Sequence, residues 1–233
     1  MKSNLYDSGE VEMNNMIGKL AGRFIAFDGP DGSGKSTQIA RFIKRARKAG
    51  LVVREVREPG GTSIGEQIRQ ILLDPINAEM TLGCEMLLYM ASRSQLVERE
   101  IKPALARGEV VVADRFVSAT LAYQGSAGGL CVEWIQAVAE VAVAGSWPDL
   151  TIILDVDDSV ATQRLNPLLD RMELKGRAFH HLVREGFLEQ AQMWPERYAV
   201  IDASKDADSV ETAVQNTIDA FNFCGNSTQK NGF

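Results

Sequence analysis

Five short apolar runs, each followed by a helical pattern, constrain the fold more than any other feature. They are RFIAFD (23–28), LVVREV (51–56), EVVVAD (109–114), LTIILDV (150–156) and YAVIDA (198–203). Their apolar residues run on rather than strictly alternating, so both faces of each strand need covering. That is the condition of a parallel sheet with helices above and below. The segments between supply those helices. Ile39, Phe42, Ile43 and Ala46 recur at helical spacing, and Gly50 ends that pattern. SIGEQIRQILL (63–73), a longer stretch from about 79 to 100, CVEWIQAVAEVAVAG (131–145), a charged region up to about 192, and residues near 208–222 read as the others. The expectation is an α/β fold with a five-stranded parallel sheet and helices on both faces.

The 233 residues, 45% of them hydrophobic, suffice for one large domain or two small ones. The formal charge of −6 argues against a nucleic-acid polymer as partner, because such binders carry a basic excess. A small anion remains compatible, since positive charge can gather locally. Cys84, Cys131 and Cys224 are odd in number and share no CxxC spacing, which fits thiols in a reducing, cytoplasmic setting. No apolar run reaches the roughly 18 residues of a membrane span. The polar, acidic start has no apolar h-region, so no secretory signal is expected. Residues 1–21 read as a flexible leader, 22–223 as the folded domain and 224–233 as a flexible tail.

Ligands of such sheets bind at the carboxyl ends of the strands, and three chemically suggestive segments begin there. The first is GPDGSGKST, following strand 23–28. Gly29, Gly34, Lys35 and Ser36 satisfy G-x-x-x-x-G-K-[ST], the P-loop pattern. Its glycines let successive N–H groups face phosphate oxygens, and the following helix adds its positive end. The phosphate cradle is thus assigned to Gly29, Pro30, Asp31, Gly32, Ser33, Gly34, Lys35, Ser36 and Thr37, and by itself it fits GTPases, ATPases and small-molecule kinases. Lys35 would reach the β and γ phosphates and Ser36 would hold Mg²⁺. An acid at Asp31 would be repelled by phosphate unless it meets a metal or a sugar hydroxyl.

The second segment, REPGGT (57–62), offers Arg57 as a planar fork for phosphate beside a side-chain-poor turn. The third, DRFVSATLAYQG (114–125), opens with Asp114, placed like a Walker-B carboxylate that serves Mg²⁺ directly or through water. Arg115 could hold an acceptor phosphate, and Tyr123 and Gln124 a planar base. On the long helix, Tyr89 and Arg93 are four apart and share a face that suits a nucleobase. Region 157–190 carries Arg164, Arg171, Arg177 and Arg184 around Pro167, the composition of a lid that brings positive charge to ATP. His180 and His181 are adjacent and point apart, which disfavours a metal pair.

An NKxD guanine tetrapeptide is absent, and so is the H-R-D with D-F-G set of protein kinases. A phosphate acceptor explains the many arginines and the lack of a catalytic base. A nucleoside monophosphate is already mostly dianionic at pH 7 and needs charge neutralisation and alignment instead.

Residues 23 to about 222 resemble the thymidylate kinase family. The matching segments are FDGPDGSGKSTQ, REPGGT, EMLLYMASRSQ, DRFVSATLAYQG, PDLTIILDV, LDRME with FHHLVREGF, and VIDAS. The resemblance implies a P-loop NTPase fold with a small helical lid at about 157–178, a homodimer, and ATP- and Mg²⁺-dependent conversion of dTMP to dTDP. By position, Asp31 would meet the deoxyribose 3′-hydroxyl or the metal's water, and Arg57 and Arg115 the dTMP phosphate. Tyr89 would stack on thymine, Arg93 and Gln124 would contact its edge, and Tyr123 would crowd a 2′-hydroxyl. Ala203 and Ser204 fall where the adenine loop is expected. With no arginine inside GPDGSGKS, the lid must supply the catalytic one, and Arg164 and Arg171 are the candidates. Lys35, Arg115 and Asp31 complete the catalytic set, and Ser36 with Asp114 the metal set. Three positions depart from the family pattern: Asp28 for Glu, Ala119 for Ser, and a short lid, RLNPLLDR. The alternatives are a kinase for another nucleoside monophosphate and a nucleotide-binding module without turnover.

Overall fold

The computed structural model describes residues 16, 18–164 and 171–223. Among them five parallel strands form one sheet in the order β2-β3-β1-β4-β5. They are β1 (Phe24–Asp28), β2 (Val53–Arg57), β3 (Val110–Asp114), β4 (Leu150–Asp155) and β5 (Tyr198–Asp202). Each expected run contains its strand, within a residue or two at the ends.

The continuous apolar runs are explained by cover on both faces. Phe24 and Ala26 of β1 face one core with Val111 and Ala113 of β3. Ile25 and Phe27 face the other with Val110, Val112, Leu150 and Ile152. The first layer is closed by α3 (Leu82–Leu96) and α6 (Val132–Val143), the second by α1 (Lys35–Lys48) and α9 (Ala207–Ala220). The other helices are α2 (Ser63–Leu73), α4 (Lys102–Ala106), α5 (Val117–Thr120), α7 (Asp158–Arg164) and α8 (Arg177–Met193).

Two expectations about elements change. The long helix starts only at Leu82, because Thr81 caps it by accepting from the Cys84 N–H. Past Leu96 it widens into a π-type turn, Val97–Ile101, before α4. The segment after Arg115 is also helical: α5 runs into a second wide turn, Leu121–Ser126, which carries Tyr123 and Gln124. Such turns re-aim side chains within a helix and recur at functional sites.

The boundary expected after residue 21 also moves. Residues 18–20 are helical, Leu20 is fully buried in the second core, and Lys19 donates to the Asp219 carbonyl. The packed domain therefore takes in part of the expected leader. The rest of it, residues 1–15 and 17, the tail 224–233 with Cys224, and lid residues 165–170 lie outside the described residues.

The topology positions the site. From central β1, strands β2 and β3 lie to one side, and β4 and β5 to the other. The crevice opens where the connections part, above the carboxyl ends of β1 and β3. Phe27 of β1 is in register with Asp114 of β3, and Arg57 of β2 with Asp114 as well. All three suggestive segments thus leave the sheet at one level.

Candidate active site

The glycine loop needs its glycines for two separate reasons. Gly29, Gly32 and Gly34 all have positive φ, at 130°, 79° and 87°. A Cβ on Gly29 would sit 2.4 Å from the Leu154 carbonyl oxygen, and one on Gly32 2.5 Å from that of Ala161. These two let β4 and α7 approach the loop. Gly34 is conformational only, since nothing lies within 4 Å of its would-be Cβ. It is the N-cap of α1, whose first turn carries no acid, so the helix's positive end is uncompensated.

Lys35 folds back across this loop. Its ammonium donates to the carbonyls of Gly29 (3.0 Å) and Pro30 (2.8 Å) and to Ser33 Oγ (3.4 Å). Burial pulls its pKa down to about 8, and the nearby Arg115 cation adds to this, while Asp31, Asp114 and Asp28 resist.

Arg115 joins the loop to the rest of the crevice. It has φ 69°, which turns the chain back over β1 immediately after β3. Its Nη1 donates to Asp28 Oδ1 and to the Gly29 carbonyl, both at 3.2 Å. Its Nη2 donates to Asp31 Oδ1 and to the Tyr123 hydroxyl at 3.3 Å. The guanidinium also stands 5.2 Å from the Tyr123 ring centroid. Tyr123 in turn donates to Asp31 Oδ2 at 2.6 Å. Burial alone would raise the Asp31 carboxyl, but Arg115, Lys35 and the Tyr123 hydroxyl outweigh it and hold it well below the usual carboxylate range.

Beyond Arg115 the crevice continues as a cavity of about 690 Å³. Lys35, Ser36 and Thr37 line it together with Tyr89, Arg93 and Gln124, and so do Asp31, Asp114 and Arg115. Arg93 is 1% exposed, and Glu58 fixes its fork with contacts of 2.8 Å to Nε and 2.5 Å to Nη2. The Phe116 carbonyl and Thr120 Oγ1 accept from Nη2 as well, at 3.1 Å each. Burial pushes the Glu58 carboxyl up, and Arg93 opposes it. Gln124, also 1% exposed, donates Nε2 to Glu85 Oε1 at 2.7 Å. Arg57 lines the cavity too, but its fork rests on Glu66 at 3.0 Å.

The sheet order and the glycine loop after β1 have counterparts among known proteins. The family model for thymidylate kinase matches residues 27–214. The thymidylate kinase of Symbiobacterium thermophilum is 44% identical over 197 residues, which span 84% of this chain and 92% of that protein. That of Deinococcus radiodurans is 43% identical over 195 residues, 83% and 94% of the two chains. A crystal structure of thymidylate kinase from Ehrlichia chaffeensis superposes with a TM-score of 0.69 at 31% identity, covering 85% of this chain and 99% of that one. The chain belongs to the thymidylate kinase family. Its fold is the P-loop NTPase fold of that family, and it is a phosphotransferase of that kind.

In this member of the thymidylate kinase family, most of the residues singled out by sequence line one cavity. The two lid candidates separate. Arg164 lines the cavity and donates to the carbonyls of Ala203 (3.1 Å) and Ser204 (3.5 Å), beside the expected adenine loop. Arg171 does not line it. Its Nε donates to the Leu72 carbonyl at 2.7 Å, and its Nη1 pairs with Glu85 at 2.6 Å, so it is buried between α2 and α3. Arg184 is committed to Asp155 and Asp157. Among the described residues no group of three or more His, Cys, Asp and Glu is placed to hold a metal ion.

Three acids were missed. Asp28 stood out only as a departure from the family, yet it is fully buried and gathers Arg115, the Phe116 N–H and the Ser118 hydroxyl. Glu58 was hidden inside REPGGT. Glu85 did leave a signal: with Tyr89 and Arg93 it forms the series i, i+4, i+8 on one helix face.

Proposed function

We propose that this chain binds ATP in the glycine loop and dTMP in the cavity beyond Arg115, and transfers the terminal phosphoryl group to the dTMP phosphate, giving dTDP and ADP. The observation that carries this reading is a single cavity lined both by Lys35, Ser36 and Thr37 of the glycine loop and its helix and by Tyr89, Arg93 and Gln124.

The donor phosphates fit the loop amides, with Lys35 exchanging its carbonyl partners for phosphate oxygens. Ser36 and Asp114 both line the cavity, and the Asp114 carboxylate takes no hydrogen bond or ion pair among the described residues. Two hard oxygen donors at that place suit Mg²⁺. The ion would neutralise charge on the transferring phosphates. On the acceptor side, Arg115 and Arg57 take the dTMP phosphate, and Arg57 leaves Glu66 to do so. Asp31 is held by Arg115 and Tyr123, which favours the sugar hydroxyl over the metal's water as its contact. Tyr123 then stands where a 2′-hydroxyl would be crowded. Tyr89 stacks on the base, and Arg93 and Gln124 read its edge. Of the lid pair, Arg164 is the cation that reaches the cavity, so it takes the catalytic role, and Arg171 a structural one. Ala203 and Ser204 border the adenine.

The protein works as a homodimer in this reading. Leu87 on α3 and Trp134 and Val141 on α6 are 55%, 68% and 79% exposed, an apolar strip on two packed helices. A cytoplasmic setting fits the free thiols of Cys84 and Cys131.

A coupled ADP-release assay over dTMP, dUMP, UMP, dCMP and AMP tests the acceptor. Preference for dTMP is expected, and equal use of the five would overturn it. Loss of turnover in folded Lys35→Ala and Arg115→Ala proteins distinguishes catalysis from nucleotide binding alone.

A further inference from the structure

Gln124 stands between a buried carboxylate and the cavity. Its Nε2 donates to Glu85 Oε1 at 2.7 Å, and its Oε1 takes no hydrogen bond among the described residues. A carboxylate only accepts, so the amide must turn its NH₂ toward Glu85 and leave its carbonyl oxygen for the cavity. Glu85 cannot swing away, being 1% exposed and held by Arg171 Nη1 on Oε2 at 2.6 Å and by Lys175 Nζ at 3.2 and 3.3 Å. Arg93, on the same cavity, can only donate. On this cavity Gln124 therefore offers an acceptor, and Arg93, whose Nη1 meets only the weakly accepting Met90 Sδ at 3.0 Å among the described residues, offers a donor.

We propose that Glu85 is a positioning residue that sets base specificity. By claiming the NH₂ of Gln124, it makes that side chain an acceptor toward the base. The pocket then selects a pyrimidine with a ring N–H beside an exocyclic carbonyl. It rejects one with a bare ring nitrogen beside an amine, which would set acceptor against acceptor and donor against donor. The inference rests on the reading that Gln124 meets the base edge.

Glu85→Gln tests it without changing shape. Arg171 requires an acceptor at the Oε2 position, so the new NH₂ falls opposite Gln124 and inverts the amide. The kcat/KM ratio of dTMP to dCMP is expected to fall roughly 10- to 100-fold, the scale of one mispaired buried hydrogen bond. Glu85→Asp, still acceptor-only, and Lys175→Met, which removes a cation and leaves the carboxylate, are expected to keep the ratio within about threefold even if KM rises. A Glu85→Gln ratio unchanged within that margin would overturn the proposal. So would a Glu85→Asp ratio that falls by more than about threefold, an outcome that can be read even if the Glu85→Gln protein does not fold. Gln124→Ala separates the two layers of the argument. If its KM for dTMP stays at the wild-type value, the placement of Gln124 at the base fails and the inference with it. If KM rises while Glu85→Gln keeps the ratio, only the role of Glu85 fails.

Discussion

Lys35 carries a charge that the free protein holds weakly. Below about pH 8 the folded protein keeps this ammonium charged, and above it the charge is lost. We expect kcat/KM for ATP to decline as pH rises through about 8, since that ratio reports groups of the free enzyme. The stability sign is opposite. In the unfolded chain the lysine stays charged up to its ordinary 10.5, so between about 8 and 10.5 the folded state binds fewer protons. Rising pH then favours folding through this group. Thermal melts taken alongside the rate profile separate the two effects, and a melting temperature that falls with the rate would contradict the assignment. The lid arginines give a second contrast. Arg164→Met should lower kcat roughly 10³-fold, the lower end of an arginine finger's effect. Arg171→Met should instead destabilise the fold by about 3 kcal/mol, because it strips a buried partner from Glu85. Near-normal kcat in Arg164→Met would move the catalytic charge elsewhere.

Helix α8 shows what tight packing asks of an element. A Cβ on Gly186 would sit 2.5 Å from Ser126 Oγ and 3.2 Å from the Ala122 Cα, in the wide turn that carries Tyr123 and Gln124. Gly186→Ala should therefore cost about 1–3 kcal/mol in urea denaturation and raise KM for dTMP. An unchanged midpoint would mean that α8 shifts freely. Nothing in FHHLVREGFLEQ marks that glycine as a contact, because its neighbour lies about sixty residues away in the chain. The strands were legible for the opposite reason: burial on both faces leaves continuous runs such as VVVAD. The helix after Arg115 was not, since Val117 to Gly125 is buried nearly all round and shows no amphipathic period. In the site, the cations Lys35, Arg115 and Arg93 were readable from the GPDGSGKST, DRFVSATLAYQG and EMLLYMASRSQ segments. The acids that hold Arg115, Arg93 and Gln124, namely Asp28, Glu58 and Glu85, were harder to read, because an acid's partner is set by tertiary contact, and only Glu85 left a signal in its helical spacing from Tyr89 and Arg93.

Over the whole molecule, the Leu87, Trp134 and Val141 strip predicts association. Sedimentation should give a dimer for the wild type and a monomer for Trp134→Glu, and a wild-type monomer would refute it. The molecule also stores energy at the turn after β3. Arg115 holds φ 69°, a region that costs a side-chain-bearing residue about 1–2 kcal/mol. Arg115→Ala and Arg115→Gly lose the same guanidinium and differ in backbone freedom, so the glycine protein should be the more stable by about 1 kcal/mol. Equal stability would place the strain elsewhere. Random drift therefore meets a slope here: of the two routes to a dead enzyme, the sturdier discards the side chain altogether. Screening a library for thermal robustness alone would enrich the glycine over the alanine, so selection for turnover has to be imposed alongside it.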